Sequence, residues 1–320
     1  MTVTRIGLQI PSFKYPGVPD SELFERIAAI AITAEESGFD SVWVMDHLHQ
    51  IWMVGPETDP MLEGYTLLAG LAARTHRVGL GTLVTGVTYR NPALLAKIVT
   101  TLDIVSAGRA ILGIGAAWNE AEHLAYGYDF PAVEERFERL EDALNICRLM
   151  FSGEPAPVYG GRRQSIAGAL NNPKPLRGRI PILIGGGGER RTLRLVAQYA
   201  DACNLFGDLD TIRHKLNVLE RHCADLGRDP ADITKTKMTT LVAGRTVEEA
   251  RATAEGMSRN RGDMAAAFLA SAVVGDAEAV VEQVAAHREA GLDGLIFNLP
   301  EIRDLDQVHL AGETVAKAFA

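Results

Sequence analysis

The chain is poor in cysteine, in aromatic residues, in basic charge and in long apolar runs, and each shortage removes a class of function. Its 320 residues include three cysteines, Cys147, Cys203 and Cys223, scattered along the chain. They form no CxxC pair, so reduced, buried thiols in a cytoplasmic protein are expected. Acidic residues outnumber basic ones by 41 to 32, giving a formal charge of −9, and the basic ones form no stripe. Such a chain is not built to hold nucleic acid or an anionic membrane. No apolar stretch approaches the ~18–20 residues of a membrane span. Met1 to Arg5 run straight into a strand-like segment, without the apolar region of a secretion signal. No GxSxG occurs and no cysteine stands at a strand end, which leaves little for nucleophilic hydrolysis.

What is present is alternation. Short β-branched runs predict strands over 5–10, 40–45, 78–85, 109–115, 180–185, 201–206, 237–243 and 294–299. Helix-period segments follow them, over 20–37, 64–75, 92–106, 131–151, 189–199, 209–227, parts of 246–290, and 304–320. Eight such units have the count and order of a (β/α)8 TIM barrel, a single α/β domain over 1–320. An open doubly wound sheet shares the local signals, but eight units without a topological break favour closure. One stretch departs from the repeat. Residues 152–179, rich in Gly, Pro and Arg, precede the fifth strand and read as an insertion over the barrel mouth.

In such a barrel the residues at strand C-termini line the active site. Here they are Ser12, Asp46 and His47, Thr82 to Thr85, Gly113 to Ala116, Gly185 to Gly188, Asn204 and Phe206, Gly244, and Asn298. Only Asp46 and His47 among them can do proton chemistry. His47 and His49 form an HxH pair, which a metal-dependent hydrolase would complete with ligands on later strands. Those strand ends carry glycines and asparagines, so no metal is expected. The spacing of Glu120 and His123 holds iron in helix bundles only when paired with a second copy, which is absent. His123 therefore reads as a residue near the mouth. Four consecutive glycines, Gly185 to Gly188, lie between a strand and a helix starting at Glu189, a place where backbone amides can cradle a phosphate. Asp208, past the next strand, keeps a dinucleotide reading open. Trp118, Trp52 and Tyr65 are either an aromatic wall or ordinary packing. Ser12, Trp52, Trp118 and His123 are the candidate substrate-pocket residues, and an apolar mouth fits a fairly hydrophobic small-molecule substrate.

Several segments, in order, resemble one family: "GFDSVWVMDHL", "LAARTHRVGLGTLVTGVTYRNPALLAKIVTTLDIVSAGRAILGIGAAWNEAEHLAYG", "ERFERLEDAL", "PILIGGGGERRTLRLVAQYADACN" and "AGLDGLIFNL". They are similar to the luciferase-like flavin and deazaflavin oxidoreductases, in particular the branch that uses coenzyme F420, an 8-hydroxy-5-deazaflavin. The resemblance implies a (β/α)8 barrel with an insertion, assembled as a homodimer. It puts Asp46 and His47 beside the cofactor ring, with His47 moving the proton. It implies a bulge at Thr82 and Leu83 behind the ring, often with a non-prolyl cis peptide. It sets Ala116 and Asn119 at the cofactor and makes Gly185, Gly186, Gly187, Gly188 and Glu189 the phosphate site. Two positions depart from the sugar-phosphate dehydrogenases of that family. Ala116 stands where they carry a catalytic glutamate, and Ile51, followed by Trp52, where they carry an aromatic residue. Their substrate is therefore not carried over.

The activity implied is hydride transfer to or from a small organic substrate, with His47 handling the proton near neutral pH. The alternatives are an FMN-dependent two-component monooxygenase, which would need a flavin reductase as partner, and a non-catalytic flavin-binding barrel.

Overall fold

The computed structural model describes residues 3–259, 262, 265–300 and 302–319. The expected domain limits, Met1 and Ala320, lie outside them. Eight parallel strands close into a barrel: β1 (Ile6–Ile10), β2 (Ser41–Val44), β3 (Gly79–Thr82), β4 (Ala110–Gly115), β5 (Ile182–Gly185), β6 (Ala202–Leu205), β7 (Thr234–Ala243) and β8 (Gly294–Asn298). Each pairs with its neighbour in this order, and β8 returns to β1 through Leu295 opposite Ile6. Closure excludes the doubly wound sheet. Asp208 is a helix cap, accepting from the Thr211 amide at 2.9 Å.

The outer ring is made of α1 (Leu23–Ser37), α2 (Gly64–Ala72), α3 (Pro92–Val105), α4 (Glu120–Ala125), α5 (Val133–Phe151), α6 (Thr192–Tyr199), α7 (Leu209–Leu226), α8 (Val247–Ser258), α9 (Ala265–Ser271), α10 (Ala277–Glu289) and α11 (Leu305–Phe319). Their ends follow local chemistry. Asn91 accepts from the Ala93 and Leu94 amides while Pro92 opens α3, and Gly38 (φ 110°) ends α1. None of the described helices is long and apolar enough to cross a membrane. The three cysteines are free and buried, and burial pushes the thiols of Cys147 and Cys203 up to about 12.

Residues 152–179 bond to α5 and α3. They form a hairpin, Val158–Gly160 against Ser165–Ala167, laid along the outside of α5. The buried Asp142 of α5 fixes it, accepting from the Arg163 and Gln164 amides at 2.7 and 2.9 Å and from the Tyr159 hydroxyl at 3.0 Å. Further on, the Leu176 amide donates to Asp103 of α3 at 2.8 Å. None of these residues lines the mouth cavity. A carboxylate buried in a helix flank demands donors, and this loop supplies them.

The barrel lumen is closed by side chains. Trp43 of β2 packs there with Ile111, Leu183, Ala202 and Ile296, and its indole N–H donates to Ser41 at 2.8 Å. Gly81 makes room, since a Cβ there would lie 2.8 Å from the indole. Trp43→Ala is expected to cost about 3–5 kcal/mol, as for other buried tryptophans. Urea unfolding followed by circular dichroism measures this, and a loss well under that range would show that the indole does not hold the lumen.

Candidate active site

A cavity of about 440 Å³ opens at the C-terminal ends of the strands, within the range of small-ligand sites. Its floor is built from a break in β3. The strand stops at Thr82, turns through a cis Leu83–Val84 peptide, and resumes as Thr85–Gly86 against β4. The expected bulge is therefore present, with its cis bond one residue later than Thr82–Leu83. Gln9 donates to the Leu83 carbonyl at 3.2 Å, and the Leu83 amide donates to Val44 at 2.8 Å. The bulge needs glycine on the neighbouring strands. A Cβ on Gly113 would lie 1.9 Å from the Thr82 carbonyl oxygen, and one on Gly185 would lie 2.8 Å from Val84. Part of the glycine signal thus serves the bulge. Thr82 itself is buried behind the floor, bonded to Thr85 at 2.6 Å and Gly113 at 3.1 Å, while Leu83 faces the cavity.

Asp46 lines the cavity, but both its oxygens are committed. Arg90 grips them at 2.8 and 2.9 Å, and the Gly86 amide donates at 3.1 Å. Burial pushes the carboxyl upward, with Arg90 and the amide working against it. Although burial disfavours its charge, Arg90 is driven above its ordinary value by Asp46. A two-pronged guanidinium grip is the geometry of two charged partners. Asp46 therefore shapes the bulge from the cavity wall, with both oxygens engaged by Arg90 and Gly86.

His47 is held by a residue the sequence reading passed over. Its Nδ1 lies 2.8 Å from Glu122 of α4, which is buried. The same carboxylate accepts from the Tyr89 hydroxyl, the Leu48 amide and, at 3.3 Å, the His49 amide. Burial alone would raise its pKa. The His47 and Tyr89 hydrogen bonds and the Leu48 amide outweigh that and bring it down to about 2. An ionised carboxylate only accepts, so Nδ1 carries the proton. Nε2 has no partner among the described residues, and the ring stands edge-on to Trp118, with centroids 5.5 Å apart.

Of the other expected residues, Ala116, Trp118, Asn119 and Gly185 to Gly188 line the cavity. Gly186 takes φ +113°, which favours glycine. Glu189 lies outside: α6 starts only at Thr192, and Glu189 pairs with His214 at 3.0 Å. His123 is fully buried, its ring bonded to Thr88 at 2.5 Å and the Asn119 carbonyl at 2.6 Å and stacked on Tyr89. Ser12 accepts from the Lys14 amide, away from the cavity, and Trp52 projects into solvent. Tyr65 lies under the Arg90 guanidinium, bonded to Thr85 at 2.6 Å. His49 turns to the Gln50 carbonyl and Tyr126. No group of three metal-ligating side chains occurs among the described residues.

Four residues escaped the sequence reading. Glu122 sits inside the Glu120–His123 spacing, and it is this inner carboxylate that meets His47. Arg90 and Arg136 lie outside the strand ends, and nothing local marks them. Asn204 was a strand-end residue with no assigned role. It lines the cavity, accepts from Thr236 at 3.0 Å, and leaves its buried Nδ2 without a partner.

The family model described as luciferase-like monooxygenase matches residues 4–294, and the chain belongs to that family. The F420-dependent glucose-6-phosphate dehydrogenase of Microbacterium testaceum (strain StLB037) is 37% identical over 173 residues, 53% of this chain and 49% of that one. The chain thus spans about half the length of that relative. The phthiodiolone/phenolphthiodiolone dimycocerosates ketoreductase of Mycobacterium sp. (strain JLS) is 31% identical over 273 residues, 78% of this chain and 68% of that one. A solved F420-dependent secondary alcohol dehydrogenase, in complex with an F420-acetone adduct, covers all of both chains with a TM-score of 0.82 at 20% identity, and so shares the fold.

Two outcomes test the electrostatics. Arg90→Leu strands a buried carboxylate and is expected to cost about 3–5 kcal/mol, with part of the loss recovered by adding Asp46→Asn. Denaturant midpoints of the single and double variants decide it. The depressed pKa of Glu122 makes its contribution to stability complete above its ordinary value of 4.5 and fading as pH falls toward about 2. The stability gap between the natural protein and Glu122→Gln should therefore be wide at neutral pH and narrow in acid. A constant gap would show that ionisation of Glu122 is not what holds the loop.

Proposed function

We propose that the protein is an oxidoreductase that uses coenzyme F420, acts on a small organic substrate and works as a homodimer, with His47 moving the proton. The observation that carries this reading is the His47 ring itself, fixed at Nδ1 by Glu122 and open at Nε2 on the wall of a cavity.

The residues present fit a ring cofactor with a phosphate. The Leu83–Val84 bulge offers a floor, and the unpaired Nδ2 of Asn204 offers a buried donor for a carbonyl or similar acceptor. Gly186 to Gly188 leave backbone exposed at one end of the cavity, where the Lys215 ammonium donates to the Gly187 carbonyl at 2.6 Å. A bound deazaflavin supplies two-electron hydride chemistry. The chain's own part is to orient, exclude water and move a proton. Glu122 holds the imidazole in one tautomer and orientation, which leaves Nε2 as the atom that gives or takes the proton. Asp46, held by Arg90 and Gly86, keeps the floor in shape beside it. The names of the relatives support the F420 reading. The family's description as monooxygenases supports FMN as the alternative cofactor, with a reductase partner.

Titration of the purified protein with F420 and with FMN, followed by tryptophan fluorescence, separates the two. F420 is expected to bind the more tightly, and the reverse order would replace this reading with the FMN one. His47→Ala is expected to lower kcat at least 100-fold, in line with loss of a general acid–base, while leaving cofactor affinity within a few-fold. Full turnover in that variant would remove His47 from the reaction.

A further inference from the structure

A cavity of about 490 Å³ lies at the N-terminal ends of the strands, the end of the barrel opposite the mouth. Five arginines line it, Arg5, Arg77, Arg109, Arg177 and Arg179, with Asp40 as the one carboxylate on its wall among the described residues. They come from separate parts of the chain. Arg5 stands before β1, Arg77 before β3 and Arg109 before β4. Arg177 and Arg179 end the 152–179 segment, just after Leu176, whose amide is pinned to Asp103. Ile111 lines the cavity and also packs with Trp43 in the lumen, so the filled lumen separates this cavity from the mouth.

Little of the positive charge is answered. Arg179 lies 3.4 Å from Asp201. The other four meet no carboxylate within ion-pair distance among the described residues. Arg109 spends its guanidinium on neutral groups, the carbonyls of Ala72, Thr75, Val78 and Ser106 at 2.7 to 2.9 Å and the Thr75 hydroxyl at 3.0 Å. Burial pulls its pKa below the ordinary arginine value, with the Glu35 charge working against that. Arg77 donates to the Glu35 carbonyl at 3.0 Å, while the Glu35 carboxylate is occupied by the amides of His76, Arg77 and Val78. The side chains of Arg5 and Arg177 have no partner among the described residues. Asp40 accepts from the Thr4 hydroxyl at 2.6 Å and from the amides of Arg5 and Ile6 at 2.8 and 3.2 Å, so its charge serves the backbone.

Four guanidinium charges in one hollow repel one another, on a chain whose net charge is −9. An anion removes that cost, and the planar guanidinium fork suits phosphate oxygens. One phosphate group carries at most about two charges at neutral pH. Two linked phosphates therefore match this cavity better than one, and its volume lies in the range of small-ligand sites.

We propose that the N-terminal face of the barrel is a second ligand site, which binds a small anion with two linked phosphates. Arg5, Arg77 and Arg177 hold it, and Arg109 adds its charge. The site is separate from the mouth and does not depend on which cofactor binds there.

Calorimetric titration of the protein with inorganic pyrophosphate, ADP and orthophosphate tests this. Pyrophosphate is expected to bind once per chain and about ten-fold or more tighter than orthophosphate, since it spans more of the arginines. Tighter binding of ADP than of pyrophosphate assigns the site to a diphosphate ester, and weaker binding to the inorganic ion. The double variant Arg77→Gln and Arg177→Gln should weaken pyrophosphate about ten-fold or more. Lys215→Gln, at the glycine loop of the mouth, should leave pyrophosphate binding unchanged. If the double variant does not fold, Arg177→Gln alone is read in its place, because that side chain is exposed and unpartnered among the described residues. Absence of pyrophosphate binding, equal binding of orthophosphate, or undiminished binding in the arginine variant overturns the proposal. So does loss of binding in Lys215→Gln, which would put the anion at the mouth.

Discussion

The mouth of this barrel is organised around one buried negative charge. A carboxylate without water is expensive unless its lone pairs are taken. Glu122 meets that demand by drawing in His47, Tyr89 and the amides of Leu48 and His49. These donors come from the loop after β2 and the segment leading to α3, while Glu122 comes from α4. One side chain therefore ties three strand-end loops together. The same demand that shapes the loop also sets the tautomer of the imidazole, so packing and chemistry share a single contact. Asp46 repeats the logic with Arg90, which it shares with Glu63.

The floor depends on a second constraint, the close approach of the bulge to the backbone of the neighbouring strands. β3 breaks so that Thr82 presses on Gly113 and Val84 lies against Gly185. Three neighbouring strands must agree for that to happen. The sequence shows it as glycines in "GIG" and "GGGG", which look like phosphate loops and are in part clearance for a bulge.

Much of the fold was legible. Eight strands fell within a few residues of their places, because barrel strands are buried runs bounded by turn residues, and strand ends are where a barrel keeps its site. Strand β7 begins at Thr234, three residues before the expected start, since Thr234-Lys235-Thr236 lacks the apolar pattern. His47 was visible as a strand-end residue, and it lines the cavity. Its partner was not. Glu122 lies 75 residues away, on a short helix whose orientation no periodicity encodes. Arg90 was hidden for the same reason. For residues 152–179, composition reports irregularity and says nothing of which helix flank offers a carboxylate to bind them. His123 and Glu189 looked available because spacing places them near the mouth, and only packing turns them away.

The filled lumen has a kinetic meaning. With Trp43 and its neighbours blocking the barrel axis, the cavity is reached from one side alone. Whatever binds against the bulge enters through the mouth, and whatever lies over Trp118 then stands in its path. Two ligands in such a blind pocket follow an order: the deeper one arrives first and departs last, and the outer one sets the pace of exchange for both.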